Sequence, residues 1–220
     1  MGQIDSLALF PLADVVLLPE VSVPLYIFEP RYRQMTRDAL DGSRQIGMIA
    51  VRPDAVAGMA GDPRVFDIGC VGQIAHAQER PDGTFQMMLE GIKRFRILEE
   101  PPRKEGQLYR SAQVTLLDDV EPSTTEEHEH MTRARGELLT LLEELVRRTG
   151  SSEDPERAVD AFAQLESARL ISALTQSIAF SPIEKQQLLE VDSLTRRCET
   201  LSELLRFRLA ESGMTGSLPN

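Results

Sequence analysis

Residues Leu7 to Arg37 read LALFPLADVVLLPEVSVPLYIFEPRYRQMTR, short apolar runs broken by Pro11, Pro19, Pro24 and Pro30 and followed by a charged segment. Proline has no N–H to give to a ladder and is tolerated only at strand starts, edges and bulges, so this stretch cannot form one long strand. It must bend several times. The pattern predicts strands over Leu7–Phe10, Val15–Leu18 and Val21–Leu25. Pro30 then opens a helix at the position where a missing N–H costs nothing, and Gly42 closes that helix after Leu40. Glu29 and Arg31, flanking the helix start, read as a structural clamp.

The pattern beyond this helix stays β-like for another eighty residues or so. IGMIAV, Ile46 to Val51, suits a buried strand, and Pro53 to Pro63 reads as a mobile loop. From Val65 a meander is expected: Ile68, Cys70, Gly72 and Ile74 alternate with Asp67, Gly69, Val71 and Gln73, and Gly69 and Gly72 suggest a bulge or a close backbone approach. Pro81-Asp82-Gly83 predicts a hairpin turn, TFQMMLEG the returning strand, Gly91 a sharp bend, KRFRIL a further strand, and Tyr109–Leu117 the last. About six or seven short strands with glycine bends in so short a span favour a closed or half-closed barrel over an open sheet.

Near residue 121 the period switches from two to 3.6. Ser123–Glu126 reads as a capping box, and Met131, Ala134, Leu138, Leu141, Leu142, Leu145 and Val146 mark a helix running to Gly150. SSEDP, residues 151–155, is read as a linker, with Asp154 capping a short helix marked by Val159, Phe162 and Leu165. Another helix carries Leu170, Leu174 and Ile178. Ser181–Glu184 is a second capping box. Leu194, Cys198, Leu201, Leu205 and Leu209 share one face of the last helix, and GMTGSLPN is read as a flexible tail. The domain expectation is a β-rich unit over 1–120, a helical unit over 121–212 and a tail over 213–220. Charge divides at the same place, net −4 over residues 1–120 and −7 beyond, within a total of −11.

Three blocks of this sequence resemble the N-terminal domain of the Lon protease family. Ile27, Phe28, Glu29, Pro30, Arg31 and Tyr32 match the family run I-F-E-P-R-Y behind a phenylalanine–proline–leucine start. Gly91, Arg94, Phe95, Arg96 and Ile97 match its G-x-x-R-F-R-I strand after a proline–aspartate–glycine hairpin. SPIEKQQLLE is similar to its serine-capped E-K-Q-x-L-L-E helix. The resemblance covers roughly residues 5 to 210. It implies an α+β fold, with an N-terminal PUA-like pseudo-barrel of about six or seven strands and a short helix followed by a C-terminal helical bundle. It further implies a stand-alone substrate-recognition domain of the protease La type, without ATPase and protease domains.

The residues allow little chemistry. Lys93, Lys104 and Lys185 are the only lysines and none follows a glycine, so no P-loop is present and no cofactor is expected. Cys70 and His76 fall in one expected strand on one face, about 20 Å apart, too far to act as a nucleophilic pair. His128 and His130 lie two apart on a helix, on divergent faces, so an acidic first turn favoured by the helix dipole is expected rather than a metal site. Two cysteines so far apart, with no secretion signal, read as buried thiols in a cytoplasmic protein, and no apolar run of about eighteen residues predicts a membrane span. An acidic balance disfavours nucleic acid, and the arginines of KRFRIL and IFEPRYR are expected to pair with Glu29, Glu90, Glu99 or Glu100.

What remains is protein recognition, without enzymatic activity. The expected partners are unfolded or partly folded polypeptides and a Lon-type ATPase, in protein quality control, either directly or as an adaptor. Tyr26, Met48, Val56, Met59, Phe85 and Met87 form the candidate binding surface, because methionine repacks against varied apolar partners. A cleft between barrel and helices, or an open strand edge, is the expected place. The alternatives are a small hydrolase or metal-dependent enzyme with an unrecognised site, and RNA binding through the barrel.

Overall fold

The computed structural model describes residues 2–150 and 154–215; the expected linker residues 151–153 and the last five of the tail, 216–220, lie outside them. The order is β1 (Gln3–Leu12), β2 (Ser22–Ile27), α1 (Pro30–Asp41), β3 (Gln45–Ala50), β4 (Ile68–Glu79), β5 (Phe85–Glu99), β6 (Arg110–Leu117), α2 (Thr125–Thr149), α3 (Pro155–Ala163), α4 (Ser167–Ser177), α5 (Pro182–Glu190) and α6 (Leu194–Thr215). A mixed α+β protein results. No helix among the described residues is long and apolar enough to cross a membrane.

Two compact units divide the chain, 1–118 with 179–190 and 119–178 with 191–220. The first takes back α5 from beyond the helices, which sequence order alone had grouped with them. In it the strands run β2-β5-β4-β3-β1-β6, and β5 also pairs with β6, which closes a five-stranded ring. One 15-residue strand makes this possible: Phe85–Glu90 of β5 carries β2, while Arg94–Glu99 carries β6. Gly91 therefore lies inside a strand and does not end one. Its lack of a side chain serves another purpose, since a Cβ there would stand 1.9 Å from the Leu18 carbonyl oxygen. Gly91 instead bonds both ways with the turn beside it, accepting from Glu20 N and donating to Val21 O, each at 2.8 Å.

That turn explains why Val15–Leu18 is not a strand, contrary to its composition. Val16, Leu17 and Leu18 are buried in irregular backbone, wedged between the end of β1 and the Gly91 approach. Burial has won over β propensity, as it does where no partner strand is available. Pro53–Pro63 departs from expectation as well. Pro53–Gly58 is a 3₁₀ turn, and Arg31 ties the stretch down by donating to Met59 O at 2.6 Å and Gly61 O at 2.8 Å, while its Nε donates to Glu29 at 2.9 Å. The Glu29–Arg31 clamp thus extends to the loop.

The ring strands bury side chains on both faces over part of their length. Leu7, Leu9, Ile49, Val71, Phe95, Ala112 and Val114 come from all five ring strands and fill the interior. The Phe95 ring occupies the space left by Gly47 and Gly69. Phe10, Ile46, Met48, Cys70 and Ile74 turn the other way into a second core, completed by Tyr32, Met35 and Ala39 of α1, by Phe85, Met87 and Leu89 of β5, and by Leu189 of α5.

Arg94, 1 % exposed, holds α5 in place. Its guanidinium donates to Leu189 O in the last turn of α5 and to Asp118 O after β6, both at 3.2 Å. A cation against the carbonyl end of a helix is favourable. Arg94 thus meets these backbone carbonyls, while of the arginine–glutamate pairs expected from sequence Arg31–Glu29 forms, at 2.9 Å; Arg110, outside both motifs, pairs with Glu100 at 2.7 and 2.8 Å.

In the second unit α2 packs along α6, whose Leu194, Cys198, Leu201, Leu205 and Leu209 are all buried. Burial pushes the Cys198 thiol up to about 12. Arg197, also buried, pairs with Asp119 at 2.7 Å and donates to Val191 O at 2.6 Å. The capping box of α2 sits one residue later than expected, at Thr124 and Glu127. Glu127 is the better placed acid because its carboxylate accepts from Ser123 N, Ser123 Oγ and Thr124 N at 2.7, 2.8 and 2.9 Å.

Arg94→Met should lower stability by about 3 kcal/mol, since it strands buried carbonyls, and Arg94→Lys should recover less than half of that because a point charge cannot fork; urea unfolding measures both. Glu127 offers a pH test. The hydrogen bonds from Ser123 and Thr124 lower its carboxyl from 4.5 to about 2. A depressed folded value means stabilisation that is present above the unfolded value and lost as pH falls through that window. Glu127→Gln should flatten that part of the melting-temperature profile between pH 4.5 and 2, read as the difference from wild type.

Candidate functional site

Two bulges decide which side chains reach solvent. In the β4–β5 ladder Val71 pairs with Lys93 but Gly72 with Gly91, leaving Ile92 extra; Ile74 pairs with Leu89 but His76 with Met88, leaving Ala75 extra. An extra residue reverses the alternation beyond it. Cys70 is consequently buried and His76 exposed, on opposite faces and not on one face as an uninterrupted strand would give. Neither a shared nucleophile nor a shared ligand set is possible there. His128 and His130 are separated too: His128 Nδ1 meets Thr124 O at 2.7 Å, and His130 Nε2 meets Glu199 at 2.8 Å.

Past the bulges, β2, β5 and β4 form a three-stranded extension of the ring with Val23, Ile27, Phe85, Met87 and Leu89 on the core side. The registers put two rows on the other side, Pro24–Met88–His76 and Tyr26–Gln86–Gln78. Together they line an open apolar groove of about 440 Å³ that contains no acidic residue. Tyr26 is 49 % and Phe28 60 % exposed, and their rings stack at 6.0 Å. The Arg80 guanidinium stands 5.5 Å from the Tyr26 ring centre.

β2 pairs only with β5 among the described residues, so its outer edge is open. Because Gly91 N donates to Val21 O, the odd positions of β2 bond to β5 and Ser22, Pro24 and Tyr26 aim their backbone groups outward. Pro24 has no N–H to offer there. The expectation of strand addition at an open edge meets a proline in the middle of this one, a device that discourages pairing. Side-chain contact remains.

The six expected surface residues do not form one surface. Tyr26 belongs to the groove. Met48, Phe85 and Met87 are core residues, 2 %, 2 % and 4 % exposed; the correction follows from the alternation Phe85–Met87–Leu89, which points inward as a set. Val56 is exposed and lines a smaller recess of about 190 Å³ with Phe66 and Ile183. Met59 is half-buried, its carbonyl taken by Arg31. Sequence reasoning missed Phe28, Met88, Pro24 and Arg80. The exposed side of the alternation Pro24–Tyr26–Phe28 was the signal that could have found the first of them.

A polar cavity of about 450 Å³ lies among Gln34 and Asp38 of α1, Ser6 of β1 and residues 104–111. Its polar groups already serve one another: Gln34 Nε2 donates to Gly106 O, Leu108 N donates to Gln34 Oε1, and Tyr109 donates to Asp38, at 2.9, 2.8 and 2.8 Å. Burial and the Asp38 hydrogen bond push the Tyr109 hydroxyl up to about 12. This cavity anchors the β5–β6 connection to α1.

A ring of five strands bearing a side sheet, filled out by two helices and accompanied by an all-helical second unit, is the architecture of Lon N-terminal domains. The Lon N-terminal domain protein from Xanthomonas campestris superposes with a TM-score of 0.62 at 26 % identity, over 93 % of this chain and 99 % of that one. The N-terminal domain of Mycobacterium avium complex Lon protease superposes at 0.71 over 92 % and 98 %, and at 18 % identity shows the shared fold. Residues 6–206 match the ATP-dependent protease La (LON) substrate-binding domain, so the chain belongs to that family. It is 26 % identical to Lon protease of Parabacteroides distasonis over 209 residues, 91 % of this chain and 24 % of the relative, and 27 % identical to that of Nitratidesulfovibrio vulgaris over 212, covering 95 % and 25 %. The chain thus spans about a quarter of the length of these relatives, and the part it matches is the substrate-binding domain, not the protease domain.

Phe85→Ala should cost about 3–5 kcal/mol in thermal or urea unfolding, and Tyr26→Ala and Phe28→Ala less than about 1 kcal/mol each. Equal losses would overturn the division between core and surface drawn here.

Proposed function

We propose that this chain is a recognition domain that binds exposed apolar segments of unfolded or partly folded polypeptides, performs no chemistry itself, and presents its clients to a Lon-type ATPase in protein quality control. The observation that carries this reading is the solvent-facing groove lined by Pro24, Tyr26 and Met88, with exposed Phe28 stacked on Tyr26 beside it, in a chain of the Lon substrate-binding family. Large exposed apolar patches mark interaction sites, and two aromatic rings with a methionine offer area without demanding a particular sequence. Pro24 fits the same reading. With no backbone ladder at the β2 edge, recognition rests on side-chain burial, which tolerates many client sequences. A net charge of −11 disfavours nucleic acid.

Fluorescence anisotropy with a permanently unfolded polypeptide should show saturable binding below about 50 μM, weakened about tenfold by Tyr26→Ser with Phe28→Ser and unaffected by Leu98→Ser, an exposed apolar position on the other half of β5. Absence of binding at that concentration, or equal binding by the double variant, would sink the proposal.

A further inference from the structure

Resting on the groove assigned above, we infer that its preferred occupant is an apolar segment with a carboxylate at one flank, and that Arg80 reads the carboxylate. The chain has 35 acidic side chains, yet none lines the groove. At the Tyr26 end stands Arg80, exposed, with its guanidinium against the Tyr26 ring at 5.5 Å. The acids nearest to it in sequence make their hydrogen bonds with other groups. Glu79 pairs with Arg37 at 2.6 Å, and Asp82, although within electrostatic reach of Arg80, accepts from Thr84 N and Thr84 Oγ1 at 3.0 and 2.7 Å. Arg80 therefore presents its forked donors beside an aromatic platform, the arrangement that binds a carboxylate next to an apolar side chain.

A further observation gives the groove a direction. At the other end Glu90 shares the exposed face with Gln86 and Met88, about 14 Å along the strand from Gln86. A segment acidic at one end satisfies Arg80 and avoids Glu90; a segment acidic at both ends does not. The overall negative charge works against any acidic partner, but screening within about 8 Å leaves the short contact to Arg80 in control at physiological salt.

The test uses labelled short peptides with one common Leu/Phe core and four flanks: neutral, a Glu pair at one end, Glu pairs at both ends, and a Lys pair at one end. The peptide acidic at one end should bind about threefold tighter than the neutral one and more tightly than the peptide acidic at both ends, and the preference should fade with added salt. Arg80→Glu should favour the Lys flank and change the acid-to-base ratio about tenfold, while Arg96→Glu, on the other half of β5, leaves that ratio where it is. If Tyr26→Ser abolishes binding but flank charge is without effect, the inference falls and the groove stands. If no peptide binds the wild-type chain, or Tyr26→Ser changes nothing, both fall. A concentration-dependent mass in sedimentation that Tyr26→Ser removes would show the groove covered by a second copy, and would also overturn the inference.

Discussion

The first unit depends on one buried cation. Arg94 sinks a guanidinium into the protein, a costly placement unless its donors meet acceptors, and its acceptors include main-chain carbonyls 24 and 95 residues away in sequence. Those two carbonyls mark where the chain leaves the barrel, at Asp118, and where it finishes the helix that returns, at Leu189. A nine-residue helix such as α5 has no independent stability. It persists because Leu189 enters the second core, Gln186 Nε2 donates to Ile68 O at 3.0 Å, and Arg94 holds its C-terminal end. The second unit repeats the device, with Arg197 holding Asp119 and Val191, the residues adjoining the same two crossings. Each unit thus ends its two chain crossings on an arginine of its own.

A consequence is that the barrel is not a contiguous stretch of sequence. Residues 119–178 must be made before α5 exists, so closing the barrel against it means closing a long loop. The entropy of that closure grows only logarithmically with length, which makes the arrangement thermodynamically tolerable though slow to form.

Much of this was legible and some was not, for identifiable reasons. Ile27–Tyr32 and Gly91–Ile97 located the fold because prolines and glycines occupy positions with strict backbone demands: Pro30 at the start of α1, Gly91 under the Leu18 carbonyl. The helical half was legible because the 3.6 period of α6 is unbroken and every residue of its apolar face is buried. What failed were inferences that needed the partner strand. A bulge is a property of a pair, so nothing within IGCVGQIAHAQE announces that Ala75 is extra and that His76 turns away from Cys70. The methionines misled for another reason. Adaptability suits a core gap as well as a binding face, and only alternation separates Met87, inside, from Met88, outside.

The same bulge logic accounts for the groove. Had β4 and β5 continued in register, the ring would have carried one inward face to its end. The extra residues at Ala75 and Ile92 instead let the last turns of the β4–β5 hairpin leave the ring and carry β2 as a side sheet. A side sheet has one face that the cores cover and one that they do not, and the sequence keeps the uncovered face apolar where it would ordinarily be polar. Tyr26, Phe28 and Met88 sit there at a cost in solubility that a purely structural sheet would avoid, beside a proline that keeps other strands from pairing with the edge. That combination, an apolar face retained and an edge blocked, suits side-chain contact and disfavours strand addition.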